Sequence, residues 1–486
     1  MDKLLYLLLA ACVFFMNTQA SIPIPIPGGK QVINLGIVDI LLCVTFGLWA
    51  VATVVRRHVF RIKLPALVMI GLPAVAAAHV AIRGSESITD SAKEIFQVVE
   101  YFIVATLLFV NLGGTRTRLR GLLSVFLLAI SAVVLWGVID YMLQPDAFKA
   151  SGPYGNINVL GTYLALVLPF TFGIALFDEM RIWHRVSLMV LVLVGAAITL
   201  SAAALIATVA ALLLVLALRS PKLLLGGLML LLAAIVFLPL HLRPDHKNVL
   251  AGSVSVYLDN NYLLGEKSML ERAKALYGES RYHDARRLLV QLDAEKKLSA
   301  EDQKLLETLD EKVGDNEPPP TVLPSDRNGN AQPVVAMRYK CWSASLRAAL
   351  ARPWGTGPGT YKESVGPYYG STLQYTYLSN QPEVFNLGFV EPDTFNQFLV
   401  TAVELGIPGL LALVWFYLWG LSRSVMLYAD THWPISRGIA AGAMASLAFF
   451  PIVAAYSGIL VRGVALPLIF IICCVYILER MEKELA

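Results

Sequence analysis

Charged residues and cysteines are both scarce in this chain of 486 residues. Only 15% of the residues are Asp, Glu, Lys or Arg, where a soluble globular protein has about 25%. Hydrophobic residues make up 57%, which argues against a soluble domain and indicates a membrane protein. Among the five cysteines, only Cys341 lies outside the apolar runs, so a disulfide framework outside the membrane is excluded within one chain.

Apolar runs of about 18 residues or more, long enough to cross the hydrocarbon core as helices, recur along most of the chain. They predict an all-α polytopic bundle of about twelve spans. The tight pair around Ser201 is the weakest part of this count. Crossings are expected near 4–20, 32–54, 63–83, 95–113, 121–143, 157–177, 184–200, 202–218, 222–240, 396–421, 435–456 and 461–480.

Lys and Arg cluster in alternate loops, and the positive-inside rule assigns such loops to the cytoplasm. Examples are residues 56–63 and 116–120, whereas the opposite loops 21–30 and 84–93 carry little clustered positive charge. Both termini are therefore predicted to be cytoplasmic, with the long segment 241–395 on the other side. Much of the net charge of +4 is this topological bias, and no nucleic-acid partner is expected.

The first span has a second interpretation. Lys3, the apolar run 4–16 and the small residues in 18–20 also fit a signal peptide with its cleavage site. Removal of this segment would leave every later orientation unchanged, so both interpretations stay open.

The outer segment is too long for a structureless connection, because loops beyond about 15 residues are usually functional or form a domain. Residues 261–309 resemble one tetratricopeptide hairpin, and a single hairpin of this kind cannot bury a core alone. The alternative interpretation is an amphipathic hairpin that lies over the membrane domain. The Pro- and Gly-containing stretch 315–332 is typical of a linker, and 338–395 completes a large, mostly helical outer segment. The flanking membrane regions are 1–240, with about nine spans, and 396–486, with about three.

Residues 338–409 concentrate the chemistry-bearing side chains. Arg338-Tyr-Lys-Cys-Trp342 leads into a glycine-rich turn, Arg352-Pro-Trp-Gly-Thr-Gly-Pro-Gly359. Asp393-Thr-Phe-Asn396-Gln then opens an apolar helix that continues through Glu404-Leu-Gly-Ile-Pro-Gly409. The turn follows no predicted strand, so a dinucleotide loop is excluded. Its glycines permit a positive φ, either for a tight turn alone or for close approach to a polar ligand.

This block resembles the shared region of bacterial O-antigen ligases and O-antigen polymerases. A second segment, Gly152-Pro-Tyr-Gly-Asn156-Ile-Asn158, is similar to the Gly-x-x-Asn-x-Asn segment of the same family. The resemblance implies a metal-independent glycosyltransferase that uses no cofactor. Such an enzyme would lie in the bacterial inner membrane, with residues 241–395 in the periplasm. It would act in the biosynthesis of lipopolysaccharide or another cell-surface polysaccharide. The implied partners are a glycan donor linked to undecaprenyl or another polyprenyl pyrophosphate, a glycan or lipid-glycan acceptor, membrane lipids, and other assembly proteins at the 261–309 hairpin.

Such a transfer requires stabilisation of the leaving pyrophosphate, activation of the acceptor hydroxyl, and an in-line arrangement. The resemblance assigns Arg338 to the pyrophosphate, a task that suits the planar guanidinium; a solvated arginine on a helix face is the plain alternative. Other residues are candidates for substrate binding, with a turn, a helix N-cap or a snorkelling side chain as the structural alternatives. These candidates are Arg83, Asn156, Asn158, Arg243, Trp342, Gly357, Gly359 and Asn396.

The chain departs from the family pattern where a histidine is expected. The family usually places this histidine directly before the asparagine that Asn396 matches, and here Phe395 occupies the position. The family also tends to carry Ser-Arg in the paired spans, where this chain has Ser201-Ala202.

Three explanations for the missing histidine stay open. Asp393 or Glu391 serves as the catalytic base, since a carboxylate can do so once its pKa is matched to the task; Asp393 is equally suited to N-cap the next span. Alternatively, His79 or His241 folds into the site. In the third case the chain has lost transfer activity and only binds or helps to assemble a lipid-linked glycan. A transporter is disfavoured because the chain lacks two similar halves.

The alternating basic loops generate a topology prediction. A reporter fused after Lys312 should report a periplasmic location, and one fused after Glu484 a cytoplasmic location, because these positions lie on opposite sides of the predicted map. Alkaline phosphatase and fluorescent-protein fusions measure both. Finding the two fusions on one side of the membrane would refute the map and its outward-facing site.

Overall fold

The computed structural model describes residues 2–18, 21–25, 32–55, 66–83, 88–143, 152–154, 156–199, 201–230, 303–305, 307–308, 332–368, 396–457, 460 and 462–484. The chain forms two compact units. The first comprises Met1–Leu232, Arg338–Asn380 and Val390–Ala486, and the second Ala233–Met337 and Gln381–Phe389. Apart from short pieces, the predicted hairpin 261–309 and linker 315–332 lie outside the described residues.

The first unit begins with a series of helices and one strand pair. Its elements up to residue 230 are α1 (Asp2–Phe15), β1 (Ser21–Pro25), β2 (Val32–Gly36), α2 (Ile37–Val55), α3 (Ala66–Arg83), α4 (Ile88–Val99), a π-helical segment (Glu100–Ala105), α5 (Thr106–Leu112), α6 (Arg116–Leu143), a 3₁₀ turn (Gly152–Tyr154), α7 (Ile157–Phe177), α8 (Ile182–Ala197), α9 (Ala202–Arg219) and α10 (Pro221–Leu230).

The C-terminal part is also helical. Its elements are α11 (Gln332–Ala351), α12 (Tyr361–Val365), a 3₁₀ turn (Gly366–Tyr368), α13 (Gln397–Glu404), α14 (Gly406–Asp430), α15 (Pro434–Ala454) and α16 (Arg462–Lys483).

Seven helices among the described residues are long and apolar enough to cross a membrane. They span Ile37–Val55, Ser91–Leu112, Arg116–Leu143, Asn158–Phe177, Gly406–Asp430, Pro434–Ala454 and Gly463–Lys483. Shorter apolar helices at Val68–Ile82, Ile182–Ala197, Ala203–Arg219 and Pro221–Leu230 coincide with further predicted crossings. The chain is thus a multi-pass membrane protein, while the total of about twelve spans stays a prediction.

Two short stretches of the predicted all-α protein are instead strands: β1 lies in the predicted loop 21–30, and β2 forms the start of the span predicted at 32–54. β1 and β2 are antiparallel, with Ser21 opposite Gly36 and Pro25 opposite Val32. Isoleucines alternate with prolines along β1, and proline is tolerated in an edge strand because its missing N–H is not needed there. The part of the chain that the structure describes is therefore helical apart from this ribbon.

Helix α1 packs as a member of the bundle. It buries Leu9 and Val13, and Asn17, just beyond its end, is also fully buried. The Tyr163 hydroxyl donates to Asn17 Oδ1 at 2.9 Å, and the Tyr154 hydroxyl donates to the Asn17 carbonyl at 2.8 Å. Removing this segment would take an acceptor from two buried hydroxyls, which is costly. These contacts tie the residue after α1 to Tyr154 and Tyr163, and the choice between a span and a signal peptide stays open.

Glycines bring α7 and α15 into close contact at the centre of the bundle. Gly438 and Gly442 lie one turn apart on α15 and face Gly173 of α7. A Cβ added at Gly173 would lie 2.5 Å from the Gly438 carbonyl oxygen and 2.6 Å from the Gly442 nitrogen. Small residues drive helix packing in lipid because they let backbones approach. The Ser446 hydroxyl adds a bond to the Leu166 carbonyl at 2.7 Å.

Basic residues gather at one end of this bundle. The Tyr6 hydroxyl donates to the Arg118 carbonyl at 3.2 Å, and the Arg116 guanidinium lies 4.1 Å from the centre of the Trp433 ring. Arg423 pairs with Glu479 at 2.8 Å. These residues belong to loops and span ends that the topology assigns to one side. Their mutual contacts agree with that grouping, and the compartment they face stays a prediction.

The glycine contact yields a stability prediction. Gly173→Ala should destabilise the protein by about 1–3 kcal/mol, the usual cost of overpacking, because the new methyl group meets backbone atoms. Gly47→Ala is the matched control: Gly47 lies inside α2 with no atom within 4 Å of an added Cβ, so helix propensity should leave stability equal or higher. Thermal unfolding in detergent measures both. Equal midpoints for the two variants would contradict the assigned packing.

Candidate functional site

The glycine-rich turn is interlocked with a break between α13 and α14. Gly355 has φ +84° and Gly406, at the break, has φ +68°. A Cβ added at Gly355 would lie 2.3 Å from the Glu404 carbonyl oxygen, and one at Gly406 would lie 2.4 Å from the Trp354 carbonyl carbon. Neither position therefore has room for a side chain.

Backbone hydrogen bonds fasten the turn to the break. Gly357 donates its N–H to the Glu404 carbonyl at 2.9 Å, and Ile407 donates its N–H to the Pro353 carbonyl at 2.8 Å. The Glu404 carboxylate also accepts the Tyr361 N–H at 3.2 Å. The carbonyls at the end of a helix have no partner within it, and here the turn supplies donors. We call the interlocked residues 353–361 and 403–407 the backbone clamp.

Gly357 and Gly359, both predicted to bind substrate, have a structural role in this clamp. Their φ angles are +121° and +76°, and the Gly357 N–H is used by Glu404. Between them, the Pro358 carbonyl accepts a hydrogen bond from the buried Ser91 hydroxyl at 2.6 Å, which ties the turn to α4. The turn interpretation thus accounts for both glycines, and ligand contact stays a prediction.

Helix α11 carries Arg338 and packs beside the clamp. The buried Ser345 hydroxyl donates to the Cys341 carbonyl at 2.6 Å and lies 2.7 Å from the Tyr361 hydroxyl, so α11 and α12 are held together. Arg338 lies on this helix one turn before Trp342. The Trp342 ring contacts Tyr456 edge-on, with centroids 5.2 Å apart.

Asn396 begins the helix that the sequence predicts after Asp393. It is the N-cap of α13, its side chain accepting the Leu399 N–H at 3.1 Å, and it is buried. The prediction that Asp393 caps this helix is therefore wrong, because an asparagine three residues later already fills the cap. Asp393 itself lies outside the described residues.

Asn156 is likewise a helix cap. It is exposed and accepts the backbone N–H groups of Asn158 at 2.8 Å and Val159 at 3.4 Å, which starts α7. Nearby, burial raises the pKa of Tyr154 well above its ordinary value, so its hydroxyl remains a donor to Asn17. A further role of Asn156 and Asn158 in substrate binding stays a prediction.

The remaining predicted residues are described only in part. Arg83 is the last residue of α3, and His79, on the same helix, is buried. Arg243, Glu391 and His241 lie outside the described residues. The structure thus brings together the Arg338 helix, the glycine-rich turn and the C-terminal end of the helix that Asn396 begins.

Sequence analysis missed several side chains that build this region. Ser91, Tyr361 and Glu404 were assigned no role, and neither were Gln97 and Gln397, which bond to a distant loop. Gln397 and Glu404 lie within the motif 338–409, so their positions in the sequence could have indicated a role in the site. Gln97 carries no such signal, because its partner is remote in sequence.

A shallow cleft of about 320 Å³ lies elsewhere, lined by Gly114, Thr115, Arg116, Trp433, Met481 and Glu484. It belongs to the basic end of the bundle. None of the ligase-like residues lines it, so we place the candidate site at the clamp rather than at this concave surface.

Comparison with known families identifies the middle of the chain. Residues 187–414 match the family model described as O-antigen ligase. We refer to the matched residues 187–414 as the O-antigen ligase domain, after the family to which they are similar. This domain includes Arg338, both halves of the clamp and Asn396, whereas the Asn156 segment precedes it. No curated protein matches the chain significantly.

Members of the O-antigen ligase family are usually O-antigen ligases or polymerases. The similarity of residues 187–414 to this family therefore supports a glycosyltransferase-like enzyme that acts in polysaccharide assembly. It also implies a lipid-linked glycan donor and membrane lipids as partners.

The clamp yields a prediction for the O-antigen ligase domain. Gly355→Ala should lower stability by about 1–3 kcal/mol, since strained backbone costs that much, and should displace the turn because its methyl group meets the Glu404 carbonyl. Gly226→Ala, with no atom within 4 Å of an added Cβ, is the control. Thermal unfolding and glycan transfer are measured together. A fully stable and active Gly355→Ala variant would contradict the clamp.

Proposed function

We propose that this protein transfers an oligosaccharide or polysaccharide from a polyprenyl pyrophosphate to an acceptor sugar at the periplasmic face of the bacterial inner membrane. The observation that carries the proposal is the backbone clamp, which joins the two halves of the ligase-like block within the O-antigen ligase domain. The clamp holds α13, whose N-cap is Asn396, against the turn that follows α11, the helix of Arg338.

In the proposed reaction, the bond between the anomeric carbon of the donor and its pyrophosphate oxygen breaks. A bond from that carbon to the acceptor hydroxyl oxygen forms, and the hydroxyl proton passes to a base. Arg338 stabilises the leaving pyrophosphate, because a guanidinium binds phosphate oxygens in pairs and stays charged. Its neighbour Trp342, one turn further along α11, is braced by Tyr456.

Asp393 is the proposed base, with Glu391 as the second candidate. The N-cap of α13 is Asn396, so capping of this helix does not account for Asp393. A carboxylate in this role needs a pKa matched to proton transfer. Phe395 occupies the usual histidine position, and a nearby carboxylate supplies the proton acceptor that the phenylalanine side chain lacks.

The donor site extends over other residues of the same predicted face. Asn156 and Asn158 at the start of α7 offer amide groups to the glycan, and Gly357 and Gly359 in the turn allow its close approach because they have no side chain. Arg83 and Arg243 offer positive charge to the pyrophosphate lipid. Both termini are proposed to be cytoplasmic, with 241–395 periplasmic and its hairpin available to other polysaccharide-assembly proteins.

A second function follows from one specific observation, Phe395 in the histidine position. A chain that had lost its base would still bind a lipid-linked glycan through the arginine and asparagine residues. In that case the protein is a non-catalytic binding or assembly subunit.

A transfer assay with the purified full chain and a polyprenyl-pyrophosphate-linked glycan tests the proposal. Arg338→Lys should lose most activity although charge is kept, because the paired hydrogen bonds are lost. Asp393→Asn should lower the transfer rate by about 10²–10⁴-fold, the usual contribution of general base catalysis. Arg120→Lys and Asp430→Asn, at exposed positions of the basic end, are the matched controls.

The outcomes separate the two functions. Transfer by the wild type with full activity in Arg338→Ala would remove this arginine from the mechanism. Donor binding without transfer to any acceptor would refute the enzyme and support the binding subunit.

A further inference from the structure

A loop outside the ligase-like block borders the candidate site. Between α15 and α16 the structure describes residues 455–457 and 460, which carry no motif. At Leu460, one glutamine side chain bonds to the backbone N–H and another bonds to the backbone carbonyl. The Leu460 N–H donates to Gln397 Oε1 at 3.2 Å, and the Leu460 carbonyl accepts from Gln97 Nε2 at 3.2 Å. We call this arrangement the glutamine bracket.

The bracket links parts of the chain that are far apart in sequence. Gln397 is the first residue of α13, directly after the candidate residue Asn396. Gln97 belongs to α4, the helix whose Ser91 also bonds to the glycine-rich turn. The Nε2 of Gln97 also lies 3.1 Å from the hydroxyl of Tyr101, a residue of the π-helical segment.

A second contact fixes the same loop against the Arg338 helix. Tyr456 packs on Trp342 with an interplanar angle of 64°, and the neighbouring Ser457 is buried. Helix α16 starts at Arg462, two residues after Leu460. Through Tyr456 and Leu460, this part of the chain therefore contacts α4, α11 and α13.

We propose that Tyr456 and Leu460, between α15 and α16, form a positioning element of the transferase site, and that Gln97 and Gln397 are its positioning residues. This inference rests on the proposed function. The bracket fixes the position of Tyr456 against Trp342. It thereby positions the glycan donor next to Arg338. Reacting groups must be held to within a fraction of an ångström by a supporting shell, and a displacement of about 1 Å can cost about 100-fold in rate.

One glutamine of the bracket is a hydrogen-bond acceptor and the other is a donor. Replacement by glutamate should therefore have opposite effects at the two positions. A backbone N–H needs an acceptor and a carbonyl needs a donor, so Gln397 must present its oxygen and Gln97 its nitrogen. Gln397→Glu keeps the acceptor, and the Thr401 hydroxyl, now 3.3 Å from Gln397 Nε2, can turn to donate. Gln97→Glu places a carboxylate oxygen against the Leu460 carbonyl and removes the donor.

The experiment measures transfer kinetics over a range of donor concentrations, together with thermal unfolding, for the purified full chain. Gln397→Glu should stay within about twofold of the wild type, while Gln97→Glu and Gln397→Leu lose about 10–100-fold in kcat/KM with little change in unfolding midpoint. Gln303→Glu, at an exposed position in the second unit, is the control for the change of charge. Hydrogen exchange across 455–461 should rise in the two impaired variants only.

Three results would overturn the bracket as a positioning device. The first is wild-type kinetics in Gln97→Glu, and the second is equal impairment by glutamate at both positions. The third is a loss of activity that follows the unfolding midpoint, which would make the bracket merely structural. If the wild-type chain transfers no glycan, the proposed function is refuted, and the bracket is then tested by hydrogen exchange alone. Unchanged hydrogen exchange in Gln397→Leu would refute the bracket.

Discussion

The backbone clamp between the glycine-rich turn and the α13–α14 break is the contact on which the candidate site depends. A helix interrupted at Leu405 exposes carbonyl groups that have no partner within the helix. The turn supplies N–H donors from Thr356 and Gly357 to these carbonyls. Such close approach requires the absence of side chains at Gly355 and Gly406. Two glycines remote in sequence are therefore one structural unit.

The helical bundle beneath the clamp follows the physics of packing in lipid. Water is absent there, so backbone groups must be satisfied within the protein, and attraction between helices comes from close packing and polar contacts. Gly173 against Gly438 and Gly442 supplies the close approach. Neutral polar side chains such as Asn17 bond to hydroxyls and carbonyls instead of to ions.

The missing histidine takes on a different meaning once the helix start is known. From sequence, Asp393 had two competing roles, as a cap and as a base. Asn396 fills the cap of α13, so a structural explanation for Asp393 at this helix is removed. The family assignment supports a glycosyltransferase-like enzyme, and a carboxylate base reconciles that assignment with Phe395.

Sequence alone determined the features that depend on neighbouring residues. Hydropathy over a window identifies a multi-pass membrane protein, since insertion depends on the local apolar run, and the motif letters between Arg338 and Gly409 identify the family. The role of Asn156 as an N-cap was also available locally, because the bond is to the next turn.

Only the tertiary structure decided the contacts between distant segments. The contact of Gly355 with Gly406 and the hydrogen bonds of Gln97 and Gln397 to Leu460 each join groups whose partner is not encoded by nearby residues. A glycine or a glutamine in a sequence shows what it can do, such as adopting a positive φ or offering both a donor and an acceptor. Which backbone group it meets is set by how the helices pack, because that packing brings remote segments within hydrogen-bond distance.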